Sequence, residues 1–387
     1  MNVILLAFLS GFAHLLLAAP THAKPAVLQP LFASHEPIDI QLTADWDKLA
    51  RDRQLAPPYY EASIQVVSQI GSQIGSQIGS QIASQIVSGQ PQSIEASETT
   101  PVNSGKLMPV KVRPRGKSRR DKETCAFPPL RLNFSRKQTV NTLFAGQDKL
   151  KLVTHCAALG NKRTPYNDRL HSEYLLYRIF NLITPNSFQV RRFNVSYINS
   201  KQRNKKASTQ PAFAIEHKSA LAARVGAALA TDTKFTLESL DAYQASVGAL
   251  FAYFAGNTDY SFTRGPKPDD CCHNSIALRT DSAVLPIPYD FDSTGFVDPP
   301  YALPATQLRL RKVTQRLYRG FCTHHKELDA ARDAFLTARM RIETLIKEYP
   351  QISESRRKKL TRYTAEFFST LDNPALFDQR IRNRCRS

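Results

Sequence analysis

Acidic residues are scarce in this sequence. Asp and Glu number 33 against 52 Lys and Arg, a formal charge of +19 with a pI near 9.8. The imbalance points to a basic surface that associates with envelope polymers, anionic lipid or acidic substrates. Specific nucleic-acid recognition asks for basic residues interleaved with aromatics on a recognisable module. The densest basic run, residues 106–122, holds eight Lys and Arg, one Asp and no aromatic. It reads as a solvated basic face, and no specific nucleic acid is expected. Long hydrophobic runs are missing too. After residues 3–19 no stretch is apolar for long enough to span a bilayer. That first run lacks Lys and Arg ahead of it, is broken by Gly11 and His14, and ends in Thr21-His22-Ala23. The small-x-small ending reads as a secretory signal over 1–23, cleaved near Ala23, with a soluble exported product, periplasmic or secreted. A His-rich ligand set is thin, with nine His in 387 residues, which weighs against a metal hydrolase.

Six cysteines fit an exported chain: Cys125, Cys156, Cys271, Cys272, Cys322 and Cys385. An even count there suggests disulfides, and fifteen complete pairings are open. Cys271 and Cys272 are adjacent and are expected to pair elsewhere rather than with each other. Zinc on Cys271, Cys272 and His273 is disfavoured, because adjacent ligands suit a tetrahedral site poorly.

Alternation of apolar residues places strands at 38–42, 60–66, 107–113, 130–134, 150–154, 188–197 and 213–216. A short helix is expected over 45–54, and turns at Arg115-Gly116 and 144–148. Between the second and third strands lies the four-residue repeat SQIGSQIGSQIGSQIASQIVSG, residues 68–89. Its period fits neither strand nor helix, so 68–105 reads as a low-complexity insertion. The basic stretch 201–206 reads as a hairpin tip. Helical spacing marks a helix through Tyr174, Leu175, Arg178, Ile179 and Leu182 with Glu173 in its first turn, a small-residue helix over 218–230, and a longer one over 236–255. Two amphipathic helices follow at 328–349 and 354–371, the second with Ser353 as N-cap.

The most informative stretch is 249–298. The 236–255 helix runs into a Gly256-Asn257 turn that carries Asp259. His273-Asn274 opens a strand, and a second strand over 284–288 ends in Asp290-Phe291-Asp292. Phosphoryl transfer uses such a set: one Asp orients or deprotonates the hydroxyl, and an Asn with another Asp holds a divalent ion on the phosphates. Asp290 and Asp292, two apart at a strand end, repel unless a cation or donors sit there. Oxygen ligands suit magnesium or manganese, with calcium open.

These pieces together resemble the CotH-type atypical kinases of spore coats, and more loosely the HipA-type and secretory-pathway kinases. The resemblance rests on VKVRPRGKSRR, PPLRLNF, LKLVTHC, SEYLLYRIFN, FAIEHKS, FAGNTDYS with HN, and IPYDFDSTG, over roughly 107–298. HRD, APE and G-x-G-x-x-G are all absent. It implies an α+β, protein-kinase-like two-lobed fold: a β-rich N-lobe over 24–67 and 106–217, and a helical C-lobe over 218–387. It also implies ATP with Mg2+ or Mn2+, and an exported protein or envelope component as substrate. Asp259 would be the catalytic-loop Asp. Lys151 would reach the phosphates, with Lys149 an equal rival, and Glu173 would hold that lysine. Arg115 and Gly116 would cover the phosphates, and Glu216 would mark the hinge. Asp290, Asn274 and Asp292 would bind the metal. The rival readings are a non-catalytic kinase-shaped protein that binds envelope or matrix, and a metal-dependent hydrolase using Asp290 and Asp292.

Overall fold

The computed structural model describes residues 29–54, 56–69, 105–158, 165–202, 207–266 and 271–387. The expected signal segment, the repeat beyond Gln69 and most of the 201–206 tip lie outside these.

Alternation builds the first half. Strand β1 (Ile38–Ala44) buries every second residue and pairs antiparallel with β2 (Tyr60–Gln69). The order continues antiparallel through β3 (Met108–Pro114), β4 (Leu130–Asn133) and β5 (Lys149–Val153). It then passes to β7 (Ser208–Ile215) and back to β6 (Val190–Asn199). Strand β6 lies parallel to β1, from Ile38 opposite Phe193 to Ala44 opposite Asn199, and closes a seven-stranded barrel. Ile40, Leu42, Val110, Val112, Leu130, Leu132, Leu150 and Leu152 fill its core. Helix α1 (Trp46–Arg51) packs the chain's one tryptophan, Trp46, edge-on against Phe127 and Tyr197. A single turn, α2 (Arg136–Thr139), sits between β4 and β5.

The closed barrel overturns the two-lobed kinase-like fold. Alternation reports which side of a strand is buried, not whether the sheet closes. Here β1, more than 150 residues before β6, supplies the parallel partner that seals it.

The second core is built by helices. Helix α3 (Pro165–Ile183) places Glu173 in its third turn, not its first, because the helix starts eight residues earlier. The expected 218–230 helix stops at Arg224 in α4 (Lys218–Arg224). Gly226 takes a left-handed φ of 67° there, and the chain leaves as β8 (Ala228–Leu229). Helix α5 (Ala242–Ala255) is buried on all sides from Gln244 to Ala255, which suits a sequence apolar around its whole circumference. Strands β9 (Ser275–Arg279) and β10 (Val284–Pro288) form a sheet of order β10-β9-β8 against it. Helices α6 (Leu328–Glu348), α7 (Glu354–Asp372) and α8 (Pro374–Arg380) complete the cluster. The Arg356 N–H donates to Ser353 Oγ at 3.3 Å, so Ser353 caps α7 as expected.

Three disulfides form: Cys125–Cys156, Cys271–Cys272 and Cys322–Cys385. The middle pair corrects the expectation that neighbours would not join. Their peptide bond is cis and their Cα atoms lie 3.0 Å apart. With both sulfurs joined, neither is a thiolate for zinc. Three disulfides are compatible with export to an oxidising compartment. No helix among the described residues is long and apolar enough to cross a membrane.

Candidate functional site

Arg119 sits in a short turn (Ser118–Arg120) just beyond β3, inside the basic run that reads as a solvated face. Its guanidinium turns inward. Nη1 and Nη2 donate to the two carboxylate oxygens of Glu173 at 3.1 and 3.5 Å. Nε lies 2.9 Å from Asp292 Oδ2, and Nη2 lies 3.8 Å from Asp290 Oδ1. Tyr301 Oη also donates to Asp292, at 3.2 Å. Three carboxylates thus converge on one buried guanidinium.

Burial works against the charge on Arg119, but Asp292 and Glu173 outweigh it and hold the group well above its ordinary value. Burial pushes the Glu173 carboxyl up to about 7 against the pull of Arg119. The two directions conflict. The two-pronged geometry favours an ionised pair at neutral pH, and we take it as ionised. Asp292 is likewise raised by burial and opposed by Arg119.

Asp290 differs from its neighbour. Its side chain is 39% exposed against 12% for Asp292. It follows the end of β10 in a left-handed conformation, φ 63°, and its N–H donates to the buried Tyr177 hydroxyl at 3.0 Å. Tyr177 lies one helical turn beyond Glu173 on α3, so one helix face braces both Arg119 and Asp290.

Lys151 stands on β5 between Arg131 of β4 and Ile215 of β7. Its ammonium lies 4.7 Å from the centre of the Tyr289 ring. Lys149 points to open solvent, which resolves the choice between the two lysines in favour of Lys151. Burial lowers Lys151 to about 7. Arg115 deepens the shift, Asp290 opposes it, and Arg131 and Lys218 add to the lowering. Arg115 is itself lowered by burial and raised by Asp290. Around Asp290, then, cations gather from β4, β5, the turn after β3 and the start of α4.

The Asp259 loop begins where Gly256 ends α5 in a left-handed cap. Asn257 Oδ1 accepts the Asp259 N–H at 3.0 Å, bracing the loop. The exposed Asp259 carboxylate meets His273 Nε2 at 2.8 Å. Asn274 Nδ2 donates to the Asp259 carbonyl at 2.6 Å and to Oδ2 at 3.3 Å. The Asn274 carbonyl then accepts the Tyr289 N–H at 3.0 Å. Behind it, the Gly295 and Phe296 N–H groups donate to the Gly256 and Ala255 carbonyls at 3.2 and 2.9 Å. The two acidic loops are therefore laced together backbone to backbone.

Several expected roles need correction. Glu173 holds Arg119, not Lys151, because the arginine reaches into the barrel end beside α3 while the lysine lies over Tyr289. Glu216 is no open hinge: it is buried, pairs with Arg224 at 2.9 Å and accepts the Gln189 N–H at 3.0 Å, tying α4 to the barrel. Gly116 is an exposed turn with φ 94°. The cation between Asp290 and Asp292 is a guanidinium. Among the described residues no group of three or more His, Cys, Asp or Glu is set to hold a metal. Arg119, His273, Tyr177 and Tyr301 enter the site without having been chosen from the sequence. For His273 a signal was present in its adjacency to Asn274.

Comparison of the sequence with protein-family models gives no match, and comparison with curated proteins gives none.

Proposed function

We propose that the chain is an exported, metal-dependent phosphotransferase that moves the γ-phosphoryl group of ATP to a protein or envelope component. The supporting observation is the collar of cations around one accessible carboxylate. Arg115, Arg131 and Lys151 crowd Asp290 closely enough for Lys151 to lose most of its preference for charge. Such a collar favours a polyanion, and a bound phosphate chain would restore full charge to Lys151.

Mg2+ or Mn2+ fits in a limited way. Magnesium sites with nucleotides use one or two carboxylates together with phosphate oxygens. Asp290 is the donor free for that task, since Asp292 is held by Arg119 and Tyr301. The Asn274 side chain, with its nitrogen turned to Asp259, offers its oxygen. When bound, the ion would supply charge neutralisation at the phosphates. Lys151 and Arg115 would bind and orient the phosphate chain. Asp259 would take the proton of the acceptor hydroxyl, with His273 at 2.8 Å fixing its carboxylate.

The test is transfer of label from γ-labelled ATP with manganese, to the chain itself or to added acceptor protein. Asp290→Asn keeps a residue tolerant of the left-handed backbone and should lower the rate on the order of a thousandfold. Full activity in that variant would overturn the assignment. The second reading is a non-catalytic binding protein. What favours it is Arg119, which already neutralises the carboxylates from inside. No thermal shift with ATP and manganese would select it.

A further inference from the structure

Two cavities open side by side in the helical half. One, about 890 Å³, runs beneath the 310–317 segment to Arg380 and Arg384 at the carboxyl end. The other, about 290 Å³, is walled by Phe296 and Asp298 on one side and by Lys359 and Arg362 of α7 on the other. They share Thr314 and Glu366, so they form one trench with two basins. Its inner wall, Gly295 and Phe296, belongs to the loop that carries Asp292.

Six cations line this trench against two acids, Glu366 and Asp298. Two of the six have internal work. Arg356 is buried and bonds the Phe296 and Val297 carbonyls, and Arg316 bonds the Tyr363 carbonyl at 2.7 Å. Arg380, Arg384, Lys359 and Arg362 are exposed and form no ion pair with the described residues.

The remaining lining selects among polyanions. Bases of single-stranded nucleic acid need open aromatic faces. Here the Tyr363 ring is capped by Arg316 at 3.5 Å, and Tyr253 is buried. What the trench offers instead are amides and hydroxyls, from Gln315, Gln379, Thr314 and Thr370. These are partners for sugar hydroxyls. We propose that the trench binds a linear acidic oligosaccharide, carrying sulfates or carboxylates, along the line from Arg384 to Arg362.

A heparin-derived hexasaccharide and hexagalacturonate serve as probes, titrated into the full chain by calorimetry without nucleotide. Arg380→Glu/Arg384→Glu in one basin and Lys359→Glu/Arg362→Glu in the other should each weaken binding on the order of tenfold. The charge-matched control Lys106→Glu/Lys137→Glu, at exposed barrel positions, should keep wild-type affinity. Melting temperatures identify any pair that fails to fold, and the pair in the other basin then decides. Equal losses in trench and control variants would reduce the effect to net charge and overturn the proposal. So would no loss in either trench pair, or tighter trench-dependent binding of oligothymidylate or anionic phosphatidylserine vesicles. The proposal does not rest on phosphoryl transfer, so failure of either leaves the other standing.

Discussion

Arg119 and Glu173 meet through two hydrogen bonds across 54 residues of sequence, both side chains nearly out of solvent. The pair joins the turn after β3 to the middle of α3, and so joins the barrel to the helices. Removing one partner leaves buried charge without compensation, which costs far more than the intact pair contributes.

Arg119→Met should therefore destabilise the fold by ~3–5 kcal/mol in urea unfolding. Adding Glu173→Leu should recover a large part, because no lone carboxylate then remains beside Asp292. A double variant no more stable than the single would mean that packing, not charge, holds this junction.

Lys151 carries a pH signature. Its folded value is about 7 against 10.5 for an ordinary lysine, so the folded chain releases its proton first. Below pH 7 the buried charge costs stability. From about 7 to 10.5 the wild type should gain on Lys151→Met, at most about 1.4 kcal/mol per pH unit. Parallel unfolding curves for the two proteins across that range would show that the ammonium is not desolvated.

Glu216→Gln should cost about 2–4 kcal/mol, by leaving Arg224 without its charged partner. Arg224 would keep its bonds to the Pro185 and Ser187 carbonyls. The thermal shift produced by ATP with manganese should be unchanged. A lost shift at unchanged stability would return Glu216 to the nucleotide site.

Gly256→Ala should destabilise by about 1–2 kcal/mol from its left-handed backbone alone. Its new methyl would also overlap the Tyr363 hydroxyl and press on Gly295. Adding Tyr363→Phe should recover the part due to overlap. If it recovers nothing, the cost lies in the backbone.

The elements that were legible in the sequence are those whose signal is local. Ile38, Ile40 and Leu42 alternate, Ser353 caps, and Gly256 ends its helix, each within a few residues. Asp290 was legible because a charge at the end of an apolar strand needs a partner. The identity of that partner was not. Arg119 lies among seven other cations, and nothing local separates an arginine that turns inward from one in water. Barrel closure was hidden for a similar reason: the pairing of β1 with β6 is decided by the whole circuit of strands. The Cys271–Cys272 link was missed because the argument assumed a trans peptide.

The parallel seam between β1 and β6 also orders events as the chain is made. Strand β1 emerges first, yet one of its edges has no native partner until residue 199 has followed. For that interval an unpaired strand edge stands open to strands of other chains. Correct assembly of this barrel therefore depends on keeping nascent copies apart as much as on the final packing.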